Sequence, residues 1–204
     1  NGFNVPKAKR YTRSEIDSVK NDIDYFHWPV IVKPVDSAGS KGVTRVDSPE
    51  GLNDAIVKAI SNSLCGAFIV EEFITFKGHP TDSDHFTVNG ELVFSAYSEQ
   101  YFDGNADNPY TPAMYKFPSL MEERHQKILT DEIQRLMRLL NMKTGIYNIE
   151  TRIGSDDKPY IMELSPRGGG NKLAELEDIA YGVNMIENEI RKAVNMPLIP
   201  MERH

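Results

Sequence analysis

Hydrophobic and polar residues alternate along two stretches near the C-terminal end of the chain, "GIYNIETRI" at 145–153 and "PYIMELS" at 159–165. Such alternation predicts two β-strands whose side chains point in turn to opposite faces. The turn-forming residues "GSDDKP" between them predict a hairpin. If the hairpin is symmetric about the middle of that turn, Glu150 stands directly opposite Glu163, with Cβ atoms roughly 4.5–5.5 Å apart. Simple alternation also places Glu163 on the same face as Ile161.

The rest of the chain mixes helical and strand patterns. Apolar residues at helical spacing predict helices, and β-branched runs bounded by turn residues predict strands. Helices are expected at 14–24, from Ser48 to about Ile60, at 119–141, at 172–181 and at 184–195. Further strands are expected at 29–33, 43–46 and 67–74, and on both sides of an Asn89–Gly90 turn. Because strands and helices alternate irregularly, with several hairpins, the pattern predicts an α+β fold rather than a doubly wound parallel sheet.

Two polar segments interrupt these elements. Residues 75–86, "TFKGHPTDSDHF", are expected to be less regular, and residues 103–118, which contain glycine, asparagine, aspartate and three prolines, are expected to form a loop. Ser119 and Glu122 form a capping-box pattern, which predicts the start of the long helix that follows.

Composition narrows the class of protein. The chain has 204 residues, enough for one large domain or two smaller subdomains, and 40% of them are hydrophobic. Its net charge of −7 argues against nucleic acid or an acidic membrane as a partner, although a local cluster with a divalent metal can still bind an anion. Cys65 is the single cysteine, which excludes an intrachain disulfide and suits the cytoplasm. No apolar run approaches the ~20 residues that span a bilayer.

The facing acids Glu150 and Glu163 are the first candidate site. Two carboxylates at that spacing repel each other, and a cation between them relieves the repulsion. Mg²⁺ favours oxygen ligands, and proteins often hold it by one or two carboxylates together with substrate phosphates. The alternative is an exposed hairpin with both acids in water, neutralised by Arg152.

The segment after the second strand, "SPRGGGN", adds a fixed cation and an open backbone. Arg167 follows Pro166, and its guanidinium can grip phosphate or carboxylate oxygens with two hydrogen bonds. Gly168–Gly170 would let backbone N–H groups approach an anion. The alternative is that the glycines form a flexible turn.

Two stretches in the N-terminal third can contact a nucleotide. Lys33 ends a strand, and Lys41 lies in the small-residue loop "SAGSKG", although the spacing differs from that of a P-loop. The strand "FIVEEFI" could offer backbone donors and acceptors to a purine edge. Taken alone, the loop is better explained as a solvated turn, and the alternative for the strand is an ordinary strand end with solvated acids.

The order of these pieces, Lys33, the loop of Lys41, "VEEFI", the strand of Glu150 and then "MELSPR", resembles the ATP-grasp superfamily of carboxylate–amine ligases. Carbamoyl phosphate synthetase and the L-amino-acid ligases are among its members. The resemblance covers about residues 5–197. It implies two α+β subdomains, 1–72 and 73–204, that clasp ATP in a cleft.

The resemblance also implies roles for individual residues. Lys33 and Lys41 would contact the ATP phosphates, Lys41 from a loop that closes on binding. The backbone of the hinge segment would read adenine; its residues are Glu71, Glu72, Phe73 and Ile74. Glu150 and Glu163 would hold Mg²⁺, with Ser165 standing where many relatives have a third, asparagine ligand. Arg167 would stabilise the transferred phosphoryl group, joined by Asn171.

The implied reaction turns a small-molecule carboxylate into an acyl phosphate, which an amine or similar nucleophile then attacks. Full members carry an upstream Rossmann-like domain, so we expect this chain to be part of a longer enzyme. The resemblance leaves room for a homo-oligomer. Two other functions stay open: a nucleotide-binding module without catalysis, and a metal-dependent hydrolase whose transition metal is bound by ligands in "HPTDSDH". Those ligands would be His79, Asp82, Asp84 and His85.

Overall fold

The computed structural model describes residues 2–203, and the chain divides into two compact units. The N-terminal unit consists of Pro6–Thr75 and Phe102–Pro112. The C-terminal unit consists of Asn1–Val5, Phe76–Tyr101 and Ala113–His204. Both units combine helices with antiparallel sheet, so the predicted α+β class is confirmed. The predicted functional subdomains, 1–72 and 73–204, stay a prediction.

Fifteen helices and strands define the two units within residues 2–203. The strands are β1 (Ala8–Thr12), β2 (Val30–Pro34), β3 (Thr44–Val46), β4 (Ala67–Glu72), β5 (Phe76–Val88), β6 (Glu91–Ser95), β7 (Glu99–Phe102), β8 (Pro112–Lys116), β9 (Gly145–Gly154) and β10 (Pro159–Ser165). The helices are α1 (Ile16–Asn21), α2 (Leu52–Ser61), α3 (Glu123–Leu139), α4 (Leu173–Tyr181) and α5 (Met185–Ala193).

The N-terminal unit is built on a four-stranded antiparallel sheet in the order β1-β4-β2-β3. The inward side chains of β2, Val30 and Val32, are fully buried, as alternation along a half-covered strand requires. They pack in one apolar core with the buried face of α2, which includes Ala55, Ile56 and Ala59. This core fixes the end of β2, where Lys33 lies.

The C-terminal unit is built on a second antiparallel sheet in the order β10-β9-β5-β6. One face packs against α3 through buried residues that include Ile133, Met137 and Ile149. At one end of the opposite face, Phe86 packs with Tyr181 of α4 and Met185 of α5. Apolar packing covers only that end, and polar side chains occupy the rest of the face.

The predicted hairpin of β9 and β10 is present, and Glu163 is the register partner of Glu150. The residue pairs closer to the turn differ from the predicted ones. Near the turn Pro159 pairs with Ile153, and a β-bulge between Ile161 and Glu163 then shifts the register by one residue. The predicted shared face of Ile161 and Glu163 is therefore wrong. Ile161 is buried in the core with α3, and the bulge turns the next carboxylate to the other face.

Two other expectations are corrected. Residues 75–86 are not irregular, because they form most of β5, a 13-residue strand in the interior of its sheet. The expected loop at 103–118 contains β8, which pairs with β7. In both segments the sequence is polar although the backbone is extended. For β5 the reason is that several of its buried polar side chains form hydrogen bonds with residues distant in the sequence, such as Ser98 and Asn148.

Capping was also predicted less well than the helices themselves. The long helix begins at Glu123, and the Ser119–Glu122 capping box is absent, because Ser119 Oγ accepts the N–H of Met121, 3.0 Å away. Before α2, the segment after Ser48 first forms a short 3₁₀ turn, Pro49–Gly51, and the Ser48 side chain makes no cap hydrogen bond. The helical periodicity was nevertheless a sound guide to both helices.

The turn between β5 and β6 provides a stability prediction. Gly90 has φ +84°, and a Cβ there would lie 2.9 Å from the carbonyl oxygen of Met142. We expect Gly90→Ala to lower the free energy of unfolding by about 2 kcal/mol, because it adds both backbone strain and a clash. Urea unfolding measures the change. Asn89→Gly is the control, expected to cost at most about 1 kcal/mol, and an unchanged midpoint for Gly90→Ala would contradict the argument.

Candidate functional site

Three carboxylates form a row across the open face of the C-terminal sheet. In register, Asp82 of β5 pairs with Glu150 of β9, and Glu150 pairs with Glu163 of β10. Register partners in an antiparallel sheet point to the same face. Asp82 is buried, Glu150 is half-buried and Glu163 is exposed, so the row leads from the interior of the unit to solvent.

A second row lies one step along the same strands. Asp84 pairs with Asn148, and Asn148 pairs with Ser165. The side-chain amide of Asn148 donates to Oδ1 of Asp82 over 2.6 Å and to Oδ1 of Asp84 over 3.0 Å. Ser165 Oγ donates to Oε1 of Glu163 over 3.4 Å. Asn148 thus separates the two buried aspartates and supplies hydrogen bonds to both.

Burial raises the pKa of the acids in this region. It raises the pKa of Asp84 to about 6 and that of Glu177, a fully buried residue of α4, to about 9. Burial also raises the pKa of Asp82, and the negative charge of Glu163 adds to the effect. These shifts express the free-energy cost of crowding negative charge on a partly dehydrated face. A cation bound at the face would reduce that cost.

The donors on this face fit Mg²⁺. Glu150 and Glu163 offer carboxylate oxygens and Ser165 offers a hydroxyl oxygen, all of the hard type that Mg²⁺ prefers. Sulfur and imidazole ligands, which favour transition metals, are absent from the register rows of this face. Ser165, for which the family resemblance implies the place of a third ligand, lies beside Glu163 on this face.

A tight turn carries Arg167 to the edge of this face. The backbone N–H of Asn148 donates to the carbonyl oxygen of Arg167, 2.9 Å away, and the Arg167 guanidinium donates to the carbonyl of Gly168 over 2.7 Å. The N–H of Gly169 donates to both oxygens of Asp84. Asn171 continues the turn with φ 54°. The guanidinium is exposed and lies close enough to oppose the charge of the aspartates.

Tyr115 of β8 joins the same face. Its hydroxyl donates to Oδ2 of Asp82 over 3.1 Å, and it also contacts Asn171 and the buried Gln100. The predicted residues of the C-terminal unit therefore lie around one polar face. They are Glu150, Glu163, Ser165, Arg167 and Asn171.

In the N-terminal unit, two predicted nucleotide-contacting residues bind each other. Lys33 Nζ lies 2.9 Å from Oε1 of the buried Glu71. Glu72 ends β4, and its carboxylate accepts hydrogen bonds from the backbone and the ring of His27, 2.8 and 2.9 Å away. Lys33 thus has a fixed direction, held by a carboxylate in the neighbouring strand.

The segment after β4 is anchored at Phe73. The N–H of Phe73 donates to the carbonyl of Pro29 over 3.0 Å, and the Phe73 ring lies against the Arg45 guanidinium, 4.6 Å from its carbon. Ile74 follows and is half-buried. Adenine recognition by this segment stays a prediction.

The glycine loop carries Lys41 exposed on its surface. Gly39 and Gly42 both have positive φ, and a Cβ at Gly42 would lie 2.9 Å from the ring of Pro34. The loop contacts residues 102–112 of its own unit, where Asn108 Nδ2 donates to the carbonyl of Gly39 over 2.9 Å. Lys41 is thus carried by a backbone whose shape needs glycine.

The residues of "HPTDSDH" do not assemble a transition-metal site in the described structure. His85 turns to the face opposite Asp84, donates to or accepts from Ser95 Oγ at 2.9 Å, and burial lowers its pKa to about 3. His79 stacks against Tyr101, with ring centroids 4.1 Å apart. The two aspartates are bound to Asn148 instead. The hydrolase alternative therefore loses its ligand set.

A different group of ligand atoms within reach of one cation occurs at Glu122, His125 and Asp157. Arg124 already bridges that group, 2.7 Å from a Glu122 oxygen and 2.8 Å from an Asp157 oxygen, and Lys77 also pairs with Asp157. A guanidinium thus fills the position that a metal ion would take.

Sequence reasoning missed three residues that shape the face: Asn148, Tyr115 and Glu177. Asp82 and Asp84 were noticed only as candidate metal ligands. The signal available was their two-residue spacing, which puts both on one face once the segment is recognised as a strand. Glu177 carried no signal, because its importance depends on α4 covering the strand.

The amino-acid sequence matches a known protein family and several related proteins. The sequence profile of a family described as the ATP-grasp domain matches residues 26–175. A formate-dependent phosphoribosylglycinamide formyltransferase from Synechococcus sp. (strain WH7803) is 29% identical over 175 residues, covering 84% of this chain and 42% of that protein. A D-alanine–D-alanine ligase from Pseudarthrobacter chlorophenolicus is 29% identical over 110 residues, covering 50% of this chain and 28% of that protein.

Solved structures show the same fold. The crystal structure of L-amino acid ligase from Bacillus licheniformis superposes with a TM-score of 0.75 at 21% identity, covering 98% of this chain and 45% of that one. The chain thus spans less than half the length of these relatives. None of the helices within residues 2–203 is long and apolar enough to cross a membrane.

Proposed function

Because the chain belongs to the ATP-grasp domain family, we propose that it is the ATP-binding part of a carboxylate–amine ligase. The observation that carries the proposal is the pairing of Glu150 with Glu163 on an open face, followed four residues later by the exposed Arg167. Paired carboxylates supply a site for Mg²⁺, and the guanidinium supplies positive charge for a phosphoryl group.

Mg²⁺ would be held by Glu150 and Glu163, with Ser165 as a weaker third ligand. When bound, it neutralises charge on phosphate oxygens and orients them. Ser165 has a neutral hydroxyl where many ATP-grasp proteins have an amide oxygen, so we expect its contribution to be smaller than that of either glutamate.

In the N-terminal unit, two lysines and one backbone segment would contact the nucleotide. Lys33 and Lys41 would contact the phosphates, and the backbone of Glu71–Ile74 would contact adenine. The Lys33–Glu71 ion pair supports this role for Lys33, because it keeps the ammonium group extended at the end of β2. A phosphate would then bind an ammonium group whose position is already fixed by its ion pair with Glu71.

The proposed reaction has two steps. A substrate carboxylate oxygen attacks the γ-phosphorus of ATP, the bond to the β–γ bridging oxygen breaks, and ADP leaves with an acyl phosphate formed. An amine that has lost its proton then attacks the acyl carbon, and inorganic phosphate leaves. Arg167, joined by Asn171, would stabilise the charge of the transferred group in both steps. The chain would therefore contribute by positioning the substrate and ATP and by neutralising phosphate charge.

The relatives named above suggest the substrate class. Their names refer to formate, D-alanine and L-amino acids, all of which carry a carboxylate. We propose a small-molecule carboxylate as the first substrate and an amine as the second. Amino acids are the first to test, because the sequence "SPRGGGN" resembles that of the amino-acid and peptide ligases.

ADP release by the full-length protein tests this function. We expect ADP to form only when Mg²⁺, ATP and a suitable carboxylate are all present, and a joined product to form when an amine is added. A panel of amino acids and simple carboxylates, assayed in pairs, provides the measurement. Nucleotide binding without ADP formation for every pair would contradict the ligase and favour a binding module without catalysis.

A further inference from the structure

A buried carboxylate holds the turn that follows β10. Asp84 is fully buried, and its Oδ1 and Oδ2 lie 2.8 and 3.0 Å from the backbone nitrogen of Gly169. A charged acceptor shared by one N–H in this way makes a stronger contact than a neutral one. Gly169 is two residues from Arg167, so the contact fixes the backbone that carries the guanidinium.

Asn148 holds the same turn from its other end. Its backbone N–H donates to the carbonyl of Arg167 over 2.9 Å, and its side chain donates to Asp84 over 3.0 Å. Asn148 is also buried, with 7% of its surface exposed. The backbone of Arg167 to Gly169 is therefore tied at both ends to neighbouring interior strands, β9 and β5.

The turn fits this support closely. A Cβ at Gly169 would lie 2.7 Å from Nδ2 of Asn148, 2.7 Å from Cδ2 of Leu173 and 3.1 Å from Oδ1 of Asp84. No side chain larger than hydrogen fits there without moving one of these groups. The second glycine after Arg167 thus has a steric reason in this chain, unlike the glycine of a freely flexible turn.

We propose that Asp84 and Asn148 are positioning residues for phosphoryl transfer, which act by fixing the backbone from which Arg167 reaches the transferred group. The proposal rests on the proposed function and adds residues that act through Arg167 without touching substrate. An arginine side chain has many rotamers, and a rigid backbone limits the positions its guanidinium can sample. Groups fixed before the reaction stabilise a transition state without further reorganisation.

The first test is the substitution Asp84→Asn in the full-length protein. The amide keeps the size of the side chain and one acceptor oxygen, but it removes the negative charge and places an NH₂ group where Oδ2 accepts the N–H of Gly169. We expect kcat to fall about 100-fold, as small misplacements of a reacting group do, while the KM for ATP changes less than about threefold. Asn148→Ser, which keeps the backbone bond to Arg167 and loses the amide, is a second variant, expected to lower kcat about tenfold.

A double-mutant cycle separates positioning from general stability. If Asp84 acts through Arg167, then adding Asp84→Asn to Arg167→Ala should lower kcat less than about threefold further. The matched control is Thr87→Val, on the same strand and also buried, which removes the 2.5 Å hydrogen bond to the carbonyl of Lys143. We expect that control to lower thermal stability, to leave kcat unchanged and to add independently to Arg167→Ala.

Hydrogen–deuterium exchange provides a readout that does not need turnover. Peptides covering residues 165–173 should exchange about tenfold or more faster in Asp84→Asn than in the unmodified protein, and no faster in Thr87→Val. Unchanged exchange, or fully additive losses in the cycle with normal turnover of the unmodified protein, would overturn the positioning role alone. Absence of turnover in the unmodified protein would overturn the proposed function and this role together.

Discussion

Replacing Glu163 with glutamine is expected to lower Mg²⁺-dependent ATP turnover of the full-length protein by about 1,000-fold or more. The substitution keeps the side-chain size but removes one of the two facing charges. Under the proposed function, Glu150 would then be left to hold Mg²⁺ with only the weaker ligand Ser165. Loss of one group that stabilises transition-state charge typically costs 10²–10³-fold in kcat, and a metal ligand also affects binding. ADP formation at saturating ATP and Mg²⁺ measures the effect.

The exposure of Glu163 makes this test clean. Because the side chain lies at the solvent end of its row, we expect the free energy of unfolding of Glu163→Gln to stay within about 0.5 kcal/mol of the unmodified protein. Glu123→Gln, an exposed change of the same chemistry on α3, is the control and should leave turnover intact. If Glu163→Gln turned over ATP at the normal rate, Glu163 would have no part in the chemistry.

The pairing of Glu150 with Glu163 follows from the sequence prediction, but the structure reaches it through a different register. The prediction places the centre of the hairpin in the middle of the turn sequence, between Asp156 and Asp157, whereas the pairing of Pro159 with Ile153 centres the turn on Asp156. A bulge, which the alternation pattern does not predict, then shifts the register by one residue and brings Glu163 opposite Glu150. Its presence depends on Ile161 being drawn into the core with α3, which is a tertiary contact rather than a local preference.

The central strand β5 shows why the rest was missed. Its residues from Thr81 to Thr87 are almost all polar apart from Phe86, yet all are buried. Sequence rules expect buried strands to be apolar, since an unsatisfied polar group is costly to bury. Here that cost is offset by partners brought from far along the chain, such as Ser98 on Ser83 and Asn148 on Asp84. The pattern of apolar and polar residues along one sequence does not show which distant residues will form these hydrogen bonds.

The misread strand is also the one that supports the candidate site. Asp82 and Asp84 interrupt the apolar pattern expected of a buried strand, and both lie on the candidate face, where Asp82 accepts a hydrogen bond from Asn148 and Asp84 accepts one from Gly169. A conflict between local pattern and global fold is expected where function is built. The failure of the strand prediction at 75–86 and the position of the site thus have one cause.

The second large effect that we predict is on stability, and it comes from Glu177, a carboxyl buried behind this face. Burial, with the negative charge of Asp84 beside it, raises the pKa of Glu177 to about 9 from an ordinary value of 4.5. A carboxyl whose folded pKa is raised contributes its full stability below about pH 4.5, and this contribution is lost as pH rises towards 9. Glu177→Gln mimics the protonated form, and its Oε1 can still accept the 2.9 Å hydrogen bond from the N–H of Asp84.

We therefore expect Glu177→Gln to exceed the unmodified protein in free energy of unfolding by about 2–4 kcal/mol at pH 8, and to match it near pH 4.5. Urea unfolding at pH 5 and pH 8 measures both values. Glu175→Gln, an exposed change two residues away on α4, is the control and should shift stability by less than about 0.5 kcal/mol at either pH. Parallel pH curves for Glu177→Gln and the unmodified protein would mean that Glu177 ionises normally in the fold, and that the face tolerates more negative charge than its burial implies.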